Sequence, residues 1–130
     1  MDTHVRGDEP AIIGVLVNLL GNASLALRKA EQVKPGRAMR IDIRAVHAGG
    51  RLVVRVRDNG TGIKAENLSR VFEPFFTTRE VGQGLGLGLA VCYAIVQRHG
   101  GQLAVESEEG AWTELSFDLA LATAGPDAPG

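Results

Sequence analysis

Asn18 and Asn22 stand four residues apart, so on a helix they share one face, at the shoulder of an apolar stripe. Carboxamides in such a place are commonly solvated or cap something local. Their chemical use would be as hard oxygen ligands for Mg²⁺, which keeps most of its waters and shares the rest with phosphates. Asp58-Asn59-Gly60-Thr61-Gly62-Ile63 follows a run of alternating apolar residues. Asp before Asn-Gly usually makes a turn. Here the turn opens a long loop, in which Gly60 and Gly62 free the backbone to pass beneath a flat ligand while an ionised Asp58 can accept a hydrogen bond from an exocyclic amine. A calcium loop is excluded, because Gly60 holds the third position, where that motif needs an oxygen-bearing side chain.

Gly82-Gln83-Gly84-Leu85-Gly86-Leu87-Gly88-Leu89 sets four glycines at alternate positions directly before an apolar helical stretch. Backbone N–H groups in such a turn, backed by a helix N-terminus, suit phosphate. A P-loop would need Lys and then Ser or Thr after its last Gly, and a dinucleotide fingerprint would need Gly where Leu87 or Leu89 stands, so both are excluded on spacing. Close helix packing accounts for Gly88 but not for the alternation. Phe72-Glu73-Pro74-Phe75-Phe76-Thr77-Thr78-Arg79 holds three of the four Phe residues. These aromatics could pin the loop to a core, and Arg79 is a candidate for neutralising a terminal phosphate.

The elements that must position these groups follow from periodicity. From about residue 9 to 34, Ile12, Ile13, Leu16, Leu19, Leu20, Ala23, Leu27 and Ala30 recur at helical steps, with Asp8 as N-cap, Pro10 in the first turn and Lys34-Pro35-Gly36 as the stop. Ile41, Ile43 and Ala45, then Leu52, Val54 and Val56, alternate as strands joined by a turn at Ala48-Gly49-Gly50, with Arg55 and Arg57 pointing away. Residues 58–84 read as a long functional loop with a short helix near 65–71. Residues 85–99 are apolar nearly all round, which predicts a buried helix ended by Gly100-Gly101. Strands at 102–107 and 113–119, joined by a turn at Glu108-Glu109-Gly110, complete the order helix, hairpin, loop, helix, hairpin. That order predicts an α+β fold: a two-layer α/β sandwich with a mixed, mostly antiparallel sheet packed against three helices. One domain over residues 1–122 is expected, with a disordered tail at 123–130.

Composition narrows the function classes. The 130 residues carry 45% hydrophobic and 22% charged side chains, a globular balance. Fourteen basic against 15 acidic residues give a net charge of −1, so the nonspecific pull toward nucleic acid or anionic membrane is missing. The single Cys92 reads as a small buried hydrophobe, and no Cys/His cluster offers a zinc site. Unbroken apolar runs fall far short of the roughly 18 residues of a membrane span, and residues 1–8 lack the apolar core of a signal peptide.

Together Asn18-Leu19-Leu20-Gly21-Asn22-Ala23, the Asp58–Ile63 segment, residues 72–78 and residues 82–89 resemble, in order and spacing, the N box, first glycine box, F box and second glycine box of one family. It is the ATP-binding catalytic domain of sensor histidine kinases, within the gyrase-like (Bergerat) ATPase superfamily. The resemblance runs from about residue 5 to 119, and the Phe-Phe-Thr-Thr and Gly-Leu repeats are most similar to nitrogen-regulation and C4-dicarboxylate sensors. It implies ATP and Mg²⁺ as ligands, with Asn22 on the metal and Asn18 on its waters or on phosphate. Asp58 would read the adenine amine, Gly60, Gly62 and Ile63 would lie beside the base, and Thr113 would support the base through water. Gly82, Gly84 and Gly86 would lie toward the phosphates with Arg79, and Phe75, Thr78, Leu85 and Leu87 would belong to the same nucleotide site. Trp112 departs from the glycine that often precedes that Thr, and Arg79 from a frequent Lys.

The resemblance further implies phosphoryl transfer to a histidine on a separate dimerisation and phosphoacceptor domain, with a response regulator as the indirect partner. This chain itself would supply no catalytic residue. A monomeric, cytoplasmic ATP-binding half of a longer kinase is expected, without nucleic-acid or direct membrane contact. His4, His47 and His99 do not sit in a helical hairpin suited to accepting phosphate. Hydrolytic members of the superfamily carry a glutamate general base four residues before the metal asparagine; Asn18 holds that position and has no useful basicity. Little turnover is therefore expected, which sets the kinase reading against a stand-alone ATPase and against a non-catalytic interaction module hinted at by Trp112. Residues 77–83 are expected to be mobile without nucleotide.

Overall fold

A computed structural model describes residues 9–73 and 88–120. The elements in chain order are α1 (Glu9–Val33), β1 (Ile41–Ala48), β2 (Arg51–Asp58), α2 (Ala65–Leu68), α3 (Gly88–Arg98), β3 (Leu103–Glu108) and β4 (Trp112–Ala120). The strands form one sheet in the order β1-β2-β4-β3, and every pairing among the described residues is antiparallel. The expected two layers are present. Asp8, residues 74–87 and the tail from 121 lie outside the described residues, as do Phe75, Thr78, Arg79, Gly82, Gly84, Leu85, Gly86 and Leu87.

The core forms where the apolar phases meet. Val15, Leu19 and Ala23 of α1 and Cys92 and Val96 of α3 pack against Val56, Leu103, Leu115, Phe117 and Leu119 on the inner face of the sheet. Burial pushes the Cys92 thiol up to about 11, which leaves it an inert core side chain. The β1–β2 hairpin closes through Gly49 and Gly50, both at positive φ, in the two-residue turn whose twist suits paired strands. α3 ends in a Schellman motif: Gly101 N–H donates to the Val96 carbonyl and Gly100 N–H to Gln97, with Gly100 in the left-handed region at φ +77°.

Two expectations are corrected. α3 is a one-sided helix rather than a buried one: only Cys92 and Val96 are buried, while Val91 and Tyr93 are exposed, because the helix lies in the outer layer and meets the sheet and α1 along a single stripe. The short helix stops at Leu68, and the chain continues to Glu73 through i to i+3 turn bonds.

α1 has a property that apolar runs do not reveal. An 18-residue window within Pro10–Val33 has a mean hydropathy of 1.8, so the helix is long and apolar enough by length and composition to cross a membrane, because Gly, Ala and Ser separate its larger apolar residues. In the fold it buries one stripe against the sheet and α3, leaving Ile13 and Val17 exposed.

Candidate functional site

The strand end of β2 carries the most perturbed carboxylate of the described residues. Asp58 is 5% exposed and lies opposite Thr113 of β4 in the ladder, itself 6% exposed, so both side chains occupy the inner face. Burial raises the Asp58 pKa to about 6, against the opposing pull of the Gly60 N–H at 2.9 Å and of the Arg37 guanidinium. Above that pH it is a buried carboxylate. One oxygen is used by Gly60, and the other accepts no hydrogen bond from a described residue.

The loop after Asp58 is fixed from several sides. Asn59 accepts the Arg40 N–H at 2.8 Å and donates to the Ala38 carbonyl at 2.7 Å, so its amide holds the approach to β1. Gly62 has φ +71°, and a Cβ there would run into the Glu108 carbonyl. Gly60 approaches α1 so closely that a Cβ would lie 2.7 Å from the Ala26 carbonyl carbon. Sequence reading attributes these glycines to clearance for a ligand. The close neighbours found are the chain's own helix and the β3–β4 turn.

That turn is tied to the loop in return. Gly110 N–H donates to Thr61 O at 2.6 Å, and the Arg37 guanidinium donates to the Gly110 and Ala111 carbonyls at 3.2 and 2.8 Å. Ser107 receives the Ile63 N–H at 2.7 Å, donates to the Trp112 carbonyl at 2.7 Å and lies 3.0 Å from the Thr113 hydroxyl. Trp112 points to the opposite face, where Arg57 stacks 4.0 Å above its ring, so its bulk does not disturb the Thr113 side.

The second wall is α1. The Asn18 amide Nδ2 donates to the Gly14 carbonyl one turn back at 3.0 Å, which leaves Oδ1 facing the start of α3. That oxygen lies 3.2 Å from where a Cβ on Gly88 would stand, so the first residue of α3 abuts Asn18. Asn18, Asn22 and Ala26 form one i, i+4 row. The row meets Gly88 at one end and Gly60 at the other, about 12 Å apart at 1.5 Å rise per residue, with Asn22 between them. The structure thus brings Asn18, Asn22, Asp58, Gly60, Gly62, Ile63 and Thr113 to one end of the sandwich, along α1. An amide oxygen of Asn18 left free of its own helix, with the Asn22 carboxamide one turn further on and no cluster of His, Cys, Asp or Glu among the described residues, fits a hard, well-hydrated cation rather than zinc.

Sequence reading missed Ser107 and Arg37. Ser107 could have been found as the polar residue in the inward phase of β3, after Leu103 and Val105. Nothing in the sequence marks Arg37, whose partners lie more than 70 residues away.

Comparison with known proteins agrees with this geometry. Residues 7–123 match the family model of the histidine kinase-, DNA gyrase B- and HSP90-like ATPases. The chain is 38% identical to the sensor kinase CckA of Brucella abortus over 88% of its own length and 13% of that protein. To the nitrogen regulation protein NtrY of Azorhizobium caulinodans it is 36% identical, over 86% of this chain and 14% of the relative. The chain therefore spans about an eighth of these relatives. Its fold is similar to a crystal structure of full-length ShkA in complex with AMPPNP, with a TM-score of 0.76 and 30% identity over 93% of this chain and 24% of that one.

Proposed function

Because the chain belongs to the histidine kinase-, DNA gyrase B- and HSP90-like ATPase family, we propose that it is the ATP-binding catalytic domain of a two-component sensor histidine kinase. The observation that carries this reading is the buried Asp58 facing Thr113 at one end of the site, with the Asn18–Asn22 row of α1 at the other. Ionised Asp58 accepts from the adenine amine, and Thr113 supports the same edge. Gly60, Gly62 and Ile63 hold the loop against α1 and the β3–β4 turn, which fixes the floor beside the base. Asn22 is the residue to hold Mg²⁺, with Asn18 on its waters or on phosphate. When bound, the cation neutralises phosphate charge and orients the terminal phosphate. Gly82, Gly84, Gly86 and Arg79 are assigned to the phosphate side, and Phe75, Thr78, Leu85 and Leu87 to the nucleotide site, from the motif alone.

The chain's own residues position and desolvate the nucleotide rather than transfer protons. Asn18 cannot act as a general base toward water, so hydrolysis is slow. His47 lies on the exposed β1, and His99 sits at the end of α3 with Nδ1 2.7 Å from the Ile95 carbonyl, so neither faces the site. The phosphoryl group is passed to a histidine on another, cytoplasmic domain of the kinase, and positioning supplies the rate. Mixing the domain with labelled ATP and a phosphoacceptor domain from a sensor kinase tests this. Label on a histidine of the acceptor, with little free phosphate in its absence, is expected; rapid phosphate release without acceptor would instead identify an ATPase.

A further inference from the structure

Ser107 lies in the inward phase of β3, and its hydroxyl meets three polar groups: the Ile63 N–H, the Trp112 carbonyl and the Thr113 hydroxyl. The first can only donate and the second can only accept. A hydroxyl has one proton and two lone pairs. The Ser107 proton therefore goes to Trp112, one lone pair receives Ile63, and the 3.0 Å contact with Thr113 is a bond only when Thr113 donates its own proton to the remaining lone pair. Thr113 is buried and makes no other hydrogen bond to a described residue, so its oxygen is left with lone pairs alone. Opposite it in the ladder stands Asp58, one of whose oxygens accepts no hydrogen bond from a described residue. Both groups then present acceptors.

We infer that Ser107 is a specificity-determining positioning residue, which by holding the Thr113 proton keeps Thr113 and Asp58 as an acceptor-only wall favouring a 6-amino purine over a 6-oxo purine. The inference rests on the nucleotide-binding reading above and adds to it the origin of base discrimination. An exocyclic amine has two protons to give to such a wall, one for each acceptor, whereas a 6-oxo purine brings a single ring N–H and sets the lone pairs of its carbonyl against the other acceptor. Without the Ser107 hydroxyl, Thr113 can rotate and offer its proton to the base. The wall then holds a donor, which suits the wrong purine better and the right one less.

Calorimetric titration at pH 8 with Mg²⁺, comparing ATP with inosine triphosphate, reads this directly. The wild-type chain is expected to prefer ATP by about 100-fold. Ser107→Ala should shrink that ratio about tenfold, with weaker ATP binding and stronger inosine triphosphate binding. In a Thr113→Val background, which has no proton to redirect, the same substitution should leave the ratio unchanged. Should Ser107→Ala fail to fold, Ser107→Cys, nearly the same shape with a weak donor and acceptor, is expected to move the ratio in the same direction. A folded variant with the wild-type ratio, or a wild-type chain that binds both nucleotides equally, overturns the inference while nucleotide binding stands. A wild-type chain that binds neither overturns the underlying reading as well.

Discussion

The two walls of the site are built differently. At the base end, Asp58 and Thr113 are nearly sealed, and almost every polar group around them is engaged by Gly60, Ser107, Ile63, Arg37 or the Gly110–Thr61 bond. At the α1 end, Asn18 is exposed and its amide nitrogen is tied to its own helix. A base is recognised by fixed hydrogen bonds in a dry place, which demands order before binding. A hard cation arrives with waters and tolerates, or needs, an open approach. Substitutions at the first wall should therefore act through structure and burial, and those at the second chiefly through the metal.

The strongest way to break the first wall is Gly62→Ala. At φ +71°, with a Cβ driven into the Glu108 carbonyl, the change should cost about 3 kcal/mol or more and lower the melting temperature by about 10 °C. A wild-type melt for this variant would mean the loop and the β3–β4 turn are not coupled.

A pH series separates folding from binding at Asp58. The Asp58 pKa of about 6 is above its ordinary 3.8, so the native state binds that proton more tightly than the unfolded chain. Its contribution to stability is full below about 3.8 and is lost as pH rises through about 6. Nucleotide affinity should run the other way, rising over the same interval as the carboxylate forms. Subtracting the same curves for Asp58→Asn isolates this group, and the two differences must have opposite slopes.

At the second wall, Asn22→Ala should remove most of the gain in ATP affinity on adding Mg²⁺, about tenfold, while metal-free affinity and the melting temperature hardly move. Equal losses with and without the metal would place Asn22 on the nucleotide instead. The smallest effect is a control on the same helix. Gly14 has open space where its Cβ would stand, so Gly14→Ala should stabilise α1 by about 1 kcal/mol without touching binding.

Much of this was readable from residue order. The helical steps of α1, the Gly49-Gly50 turn and the alternation of β2 and β4 follow from local periodicity and turn chemistry, and they place Asp58 and Thr113 on the inner face. What escaped depends on contacts distant in sequence. Arg37 and Ser107 act on groups brought to them only by sheet pairing and by the packing of the β3–β4 turn. Val91 and Tyr93 read as core because they are apolar, yet among the described residues the sheet and α1 meet α3 along another side of the helix. Gly60 and Gly62 were legible as positions of close approach, but whether helix, turn or ligand comes close is decided by the fold.

Calorimetric titration of Mg²⁺–ATP into the wild-type chain and into Asp58→Asn tests the role of this carboxylate without intermediaries. Saturable binding by the wild type, weakened about 10- to 100-fold in the variant at pH 8, is the predicted result. Equal affinity in the two proteins would contradict the claim that this buried carboxylate reads the base.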